Sequence, residues 1–111
     1  MEKSYKILLT PEAERMIQSL DGAQRKIITK AVRRLKESPE VGKPLVDELI
    51  GFHSYKTGRF RIVYKIFEKN IAIVIVGAGI RKEGDKKDIY LLLKKLAKTG
   101  LLEHVKRYLE K

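Results

Sequence analysis

Cysteine is absent from this sequence, and proline occurs only three times in 111 residues. Without cysteine there is no disulfide, no thiolate nucleophile and no cysteine-ligated zinc, so nothing calls for an oxidising compartment. A cytoplasmic protein is expected. The two histidines, His53 and His104, are far apart and lack acids at ligand spacing, so no metal site is expected. Long apolar runs are also missing. The opening MEKSYKILLTPEAER meets charge too early for a signal peptide, and Ile71 to Val76 is too short to cross a bilayer. Gly77-Ala78-Gly79 lacks the rest of any nucleotide fingerprint, no Ser-His-Asp arrangement is suggested, and no cofactor is expected.

Acids are the other scarcity. Asp and Glu total 14 against 25 Lys and Arg, a formal charge of +11. So large an excess on a small chain attracts polyanions, nucleic acid or ribosome first among them. At 43% hydrophobic and 35% charged, the composition is that of a folded chain, and residues 1–111 are expected to form a single domain.

Tyr5, Ile7 and Leu9 form the apolar face of a short strand. Thr10 is placed to cap a first helix, Pro11 suits its first position, and Glu12 and Glu14 suit the positive end of its dipole. Asp21-Gly22 breaks the pattern, and Asp21 can cap a second helix carrying Ile27, Ile28, Ala31, Val32 and Leu35, ended by Ser38-Pro39. The stretch Glu40 to Gly51 offers Leu45, Leu49 and Ile50 as anchors. A β-hairpin follows, Phe52 to Lys56 and Phe60 to Phe67 about Thr57-Gly58. Its second strand sets Phe60, Ile62, Tyr64 and Ile66 on one face and Arg61, Val63, Lys65 and Phe67 on the other. After Glu68-Lys69-Asn70, Ile71 to Val76 is apolar on both faces and reads as a covered central strand, with Gly77 and Gly79 leaving the sheet. Asp85 or Asp88 starts a helix with Ile89, Leu92, Leu93 and Leu96, and Leu101, Leu102, Val105, Tyr108 and Leu109 continue it past Gly100. The expected fold is α+β: an N-terminal helical hairpin packed on a small, mainly antiparallel meander sheet, with a C-terminal helix and the helices mainly on one face.

The segment Gly51-Phe52-His53-Ser54-Tyr55-Lys56-Thr57-Gly58-Arg59-Phe60-Arg61-Ile62-Val63-Tyr64 combines a basic hairpin with an aromatic-Arg-hydrophobic-Val-Tyr strand. A β-branched strand, Gly79-Ile80-Arg81 and Tyr90 follow. In this order the pieces resemble the RelE/ParE superfamily of toxins from type II toxin-antitoxin systems, from the Tyr5 strand to about Ala97. The resemblance implies a RelE-like fold and a ribosome-dependent messenger-RNA endonuclease working without metal, with the ribosome and mRNA as partners. A cognate antitoxin would hold it inactive, and operator DNA would be met only through that antitoxin.

Such cleavage drives the RNA 2′-hydroxyl onto the adjacent phosphate, so the site must accept a proton, stabilise a crowded phosphorane and neutralise the leaving 5′-oxygen. By resemblance, Arg61 and Arg81 are the phosphate stabilisers, a task that suits arginine's planar, permanently charged fork. They can converge if they project on one sheet face. Tyr90 matches the family's late tyrosine, which stacks on a base or aids proton transfer, although Lys82 to Asp88 holds three more residues than the family's spacing. Where the family's ribonucleases carry two lysines, this chain has Phe52 and Ser54. Lys56 is the candidate base on the same strand parity, and His53, on the opposite parity, is the other. Arg59, Lys82 and Lys86 extend the patch for ribosomal RNA, with Lys87 beside them. The alternative from another class is a non-enzymatic chain: a ParE-like gyrase inhibitor, or an inactive homologue that binds only antitoxin and operator DNA.

Overall fold

The computed structural model describes residues 4–98 together with Gly100 and Val105. In chain order these form β1 (Lys6–Leu9), α1 (Pro11–Gln18), α2 (Gly22–Glu37), β2 (Lys43–Pro44), β3 (His53–Thr57), β4 (Phe60–Phe67), β5 (Ala72–Ile80) and α3 (Ile89–Lys98). The fold is α+β, as expected from the sequence.

The helices begin where local chemistry satisfies their free N–H groups. Thr10 accepts from the Ala13 N–H at 3.1 Å, with Pro11 in the first turn. At α2, Asp21 accepts from the Gln24 N–H at 2.8 Å while the Gln24 side chain accepts from the Asp21 N–H at 3.2 Å, a reciprocal capping box. Ala13, Ile28, Ala31 and Leu35 turn inward from this helical hairpin. Their core also takes in Tyr5, Phe60, Ile62, Tyr64, Ile73, Ile75 and Ala78. The fully buried Tyr64 pins the chain after α2: its hydroxyl donates to the Pro39 carbonyl at 2.5 Å and accepts from the Gly42 N–H at 3.0 Å.

The sheet runs β1-β5-β4-β3-β2. β1 lies parallel to β5, and every other pairing is antiparallel. β5 is interior, and its residues from Ala72 to Ala78 are all buried, the reason its apolar character shows no alternation. Thr57 pairs with Phe60, so the hairpin loop is Gly58-Arg59. Gly58 supplies a positive φ of 60° there.

Three expectations are corrected. Leu49 is buried and Leu45 half-buried, but Ile50 is 70% exposed, because the short turn Asp47–Leu49 spends its inward positions on Leu49. Gly77 and Gly79 do not leave the sheet; both lie within β5. They are small because α3 crosses over them: a side chain begun at Gly77 would come within 2.8 Å of Leu93, and one at Gly79 within 3.4 Å of Ile89. Only the hairpin α1/α2 covers the first face, while α3 covers the other with Phe52, Val63, Val74, Val76, Ile89 and Leu93. Of the continuation past Gly100, Val105 is buried in that second core; Leu101, Leu102, Tyr108 and Leu109 lie outside the described residues. Among the described residues, no helix is long and apolar enough to cross a membrane.

Candidate functional site

Where Arg81 points is decided by an irregularity in β5. Val63 pairs with Gly77, but Tyr64 pairs with Ile75, which leaves Val76 as an extra residue. Val74 and Val76 face α3, and so does the next residue, Gly77, whose added Cβ would meet Leu93 and Ile89. Two consecutive residues on one face reset the alternation. Ala78 then faces the helical hairpin and Gly79 faces α3. Unbroken alternation from Ile73 and Ile75 would have sent Arg81 under the hairpin; the bulge sends it to the α3 side.

Arg61 is on that side too, in step with Val63 of the α3-side core. It pairs with Gly79, and the Arg81 N–H donates to the Arg59 carbonyl at 2.8 Å. The two arginines are thus diagonal neighbours across one strand pair, a relation that spaces residues by about 7–8 Å, within reach of long side chains. Lys56 stands directly opposite Arg61 in the β3–β4 register and is exposed. Among the described residues no carboxylate forms an ion pair with Lys56 or Arg61. Arg61 instead donates to the carbonyls of Phe60 at 3.0 Å and Gly58 at 3.3 Å, folding back over its own turn.

Arg81 is held more firmly. Its guanidinium binds the Asp88 carboxylate at 2.7 Å and lies over the Tyr90 ring, 4.7 Å from the centroid. The hydrogen bond to Asp88 is the main cause that raises the Arg81 pKa. Burial pushes the Asp88 carboxyl upward, but hydrogen bonds from Arg81 and from the Lys82 and Leu91 N–H groups, with the Arg81 charge, outweigh it and leave it lowered. Tyr90 is fixed at its far end, where its hydroxyl meets the Ser54 hydroxyl at 2.7 Å. Asp88, Arg81, Tyr90 and Ser54 therefore form one continuous cluster.

The other candidates fall around or outside it. Arg59 is exposed at the hairpin tip and Lys86 in the loop before α3. Lys82 pairs with Asp85 at 3.6 Å, and Asp85 is held low first by its hydrogen bond from the Lys87 N–H. His53 is on the opposite face, stacked on Tyr64 with ring centroids 5.8 Å apart. Phe52 is buried in the α3-side core, with the Lys65 ammonium 5.6 Å over its ring. Among the described residues no three or more histidines or acids gather closely enough to hold a metal ion.

Two members of the cluster were not legible as such in the sequence. Asp88 reads as a helix cap, which it is, but its grip on Arg81 depends on the path of Lys82 to Lys87. Ser54 reads as an inert replacement for a lysine, yet it anchors Tyr90.

The profile of a protein family described as "ParE toxin of type II toxin-antitoxin system, parDE" matches residues 7–83. No curated protein matches the chain at a significant level. Among solved structures, the RelBE2 toxin-antitoxin complex from Mycobacterium tuberculosis contains a chain 29% identical, with a TM-score of 0.67, covering 73% of this chain and 98% of that one. The isolated RelE toxin of E. coli superposes with a TM-score of 0.63 over 88% of this chain and all of its own, at 15% identity. The YoeB/ParE toxin from Agrobacterium tumefaciens gives 0.60 at 20% identity, over 69% of this chain and 99% of its own. At those last identities the likeness is one of fold alone.

Proposed function

The chain belongs to the ParE toxin family of type II toxin-antitoxin systems, and we propose that it is a metal-independent endoribonuclease that cleaves messenger RNA on the ribosome. The observation that carries this reading is the array of Lys56, Arg61, Arg81 and Tyr90 on a single sheet face. Two arginines on that face, one of them lying over the aromatic ring, suit a phosphate flanked by an unstacked base.

In this mechanism the 2′-oxygen bonds to phosphorus as the bond to the 5′-oxygen breaks, leaving a 2′,3′-cyclic phosphate. Lys56 is the residue assigned to receive the 2′-hydroxyl proton. Arg61 and Arg81 offset the two negative charges of the phosphorane, one more than the resting phosphodiester carries. Tyr90 offers its ring to the base beside the scissile phosphate, and its hydroxyl, hydrogen-bonded to that of Ser54, is assigned the proton for the leaving oxygen. Arg59, Lys82 and Lys86 contact ribosomal RNA through its backbone.

The partner is an antitoxin. The RelBE structures from M. tuberculosis and E. coli are toxin-antitoxin complexes, and a charge of +11 favours an acidic, partly disordered segment that folds on binding. Operator DNA is reached through that antitoxin, and the toxin acts in the cytoplasm, where ribosomes are.

The second reading is a non-enzymatic toxin aimed at DNA gyrase. The pairing of Arg81 with Asp88 favours it, because a guanidinium with a counter-ion already in place is a weaker phosphate trap. Primer extension on translated messages after brief expression separates the two. Cuts within codons, lost in Arg61→Ala and Arg81→Ala, support the nuclease; gyrase-linked DNA breaks with intact messages overturn it.

A further inference from the structure

Asp88 sits where it cannot withdraw from Arg81 without undoing local structure. One carboxylate oxygen accepts from the Lys82 N–H at 2.7 Å. The other accepts from the Leu91 N–H at 3.3 Å and from the Arg81 guanidinium at 2.7 Å. Its side chain is 5% exposed while that of Arg81 is 28% exposed. Swinging the carboxylate aside would uncap α3 and strand a buried charge.

A phosphate arriving at Arg81 therefore does not replace Asp88; it meets a guanidinium with one amino group engaged and its other donors still to satisfy. We propose that Asp88 is a positioning residue, permanently bound to Arg81, that sets the angle of the guanidinium over Tyr90 and leaves only its remaining edge for phosphate. This rests on the reading of Arg81 as a phosphate ligand.

Two opposed effects follow. The aspartate charge weakens the attraction of Arg81 for any anion, so resting phosphate binds less tightly than an unpaired arginine would allow. Orientation works the other way, because a guanidinium already fixed loses no rotamer freedom as the phosphorane forms. Asp88 thus trades ground-state affinity for turnover. A merely structural cap would help both or neither.

Asp88→Asn keeps an acceptor for the α3 cap and removes the charge. Titration with inorganic phosphate, followed at the Arg81 Nε–Hε NMR resonance, is expected to give binding about three- to tenfold tighter than in the unaltered chain. Message cleavage at saturating ribosomes is expected to slow by about tenfold or more. In an Arg81→Ala background, followed by backbone amide resonances, adding Asp88→Asn changes neither quantity further. Phosphate binding that is unchanged or weaker overturns the proposal, as does a cleavage loss that persists in the Arg81→Ala background. If the unaltered chain cleaves no message, the nuclease reading falls, and the phosphate titration still decides the role of Asp88. Should Asp88→Asn fail to fold, Asp88→Ser, another capping residue without charge, takes its place with the same expected outcomes.

Discussion

The hydroxyls of Ser54 and Tyr90 meet at 2.7 Å across 36 residues of sequence, joining β3 to α3 at the far end of the ring over which the Arg81 guanidinium lies. This bond ties the ring on which Arg81 rests to the strand that carries Lys56. Ser54→Ala and Tyr90→Phe are each expected to cost about 0.5–1.5 kcal/mol, the usual net worth of one hydrogen bond. In urea denaturation the double variant should lose no more than the larger single loss. Fully additive losses would mean that the hydroxyls are not partners.

At Gly77 the side chains of α3 press directly on the sheet backbone. Gly77→Ala places a methyl 2.8 Å from the Leu93 side chain, and overpacking of this kind costs about 1–3 kcal/mol. Because α3 carries Tyr90, the thermal midpoint and the Ser54–Tyr90 contact should both suffer. Gly58→Ala, at an open turn position, should strain only its own backbone and leave Tyr90 in place. Equal disturbance of the Tyr90 ring resonances by both variants would refute this.

The two candidate bases occupy opposite faces. Lys56 faces Arg61 across the hairpin, whereas His53 stacks on Tyr64. Lys56→Ala is expected to lower message cleavage by about 10²-fold or more, the usual scale of general-base loss. His53→Ala should leave cleavage essentially intact and instead lower stability. The reverse pattern in single-turnover cleavage would return the role to His53.

Stability should bend at both ends of the pH scale. The folded Asp88 carboxyl is lowered, so its contribution is complete above the unfolded aspartate value and is lost as pH falls through the folded one. Asp88→Asn should flatten this acid limb of the thermal midpoint against pH. Tyr64 is raised to about 12 by burial, against an ordinary 10.0. Its contribution is complete below pH 10.0 and fades as pH rises towards 12, so Tyr64→Phe should remove part of the alkaline decline. Ultraviolet titration should find one tyrosine ionising last in the unaltered chain and missing from the variant.

Much of this molecule was legible along the chain because its causes are local. Thr10 and Asp21 announce their helices through hydrogen bonds three residues away, and the hairpin follows from Gly58 and the alternation of Phe60 to Phe67. The uniform apolarity of Ile71 to Val76 placed that strand inside the sheet. Charge, together with the family resemblance carried by the hairpin, the Gly-x-Arg pattern and the late tyrosine, pointed to Arg61, Arg81, Tyr90 and Lys56 as the residues to watch. What tertiary structure alone decided was whether they meet. The extra residue Val76 reverses the alternation and brings Arg81 to the face of Arg61, and the packing of α3 over Gly77 and Gly79 brings Asp88 and Tyr90 to Arg81 and Ser54 to Tyr90. Side-chain periodicity is a property of a single strand, but a bulge belongs to the register between two, so no reading of β5 by itself could have located it.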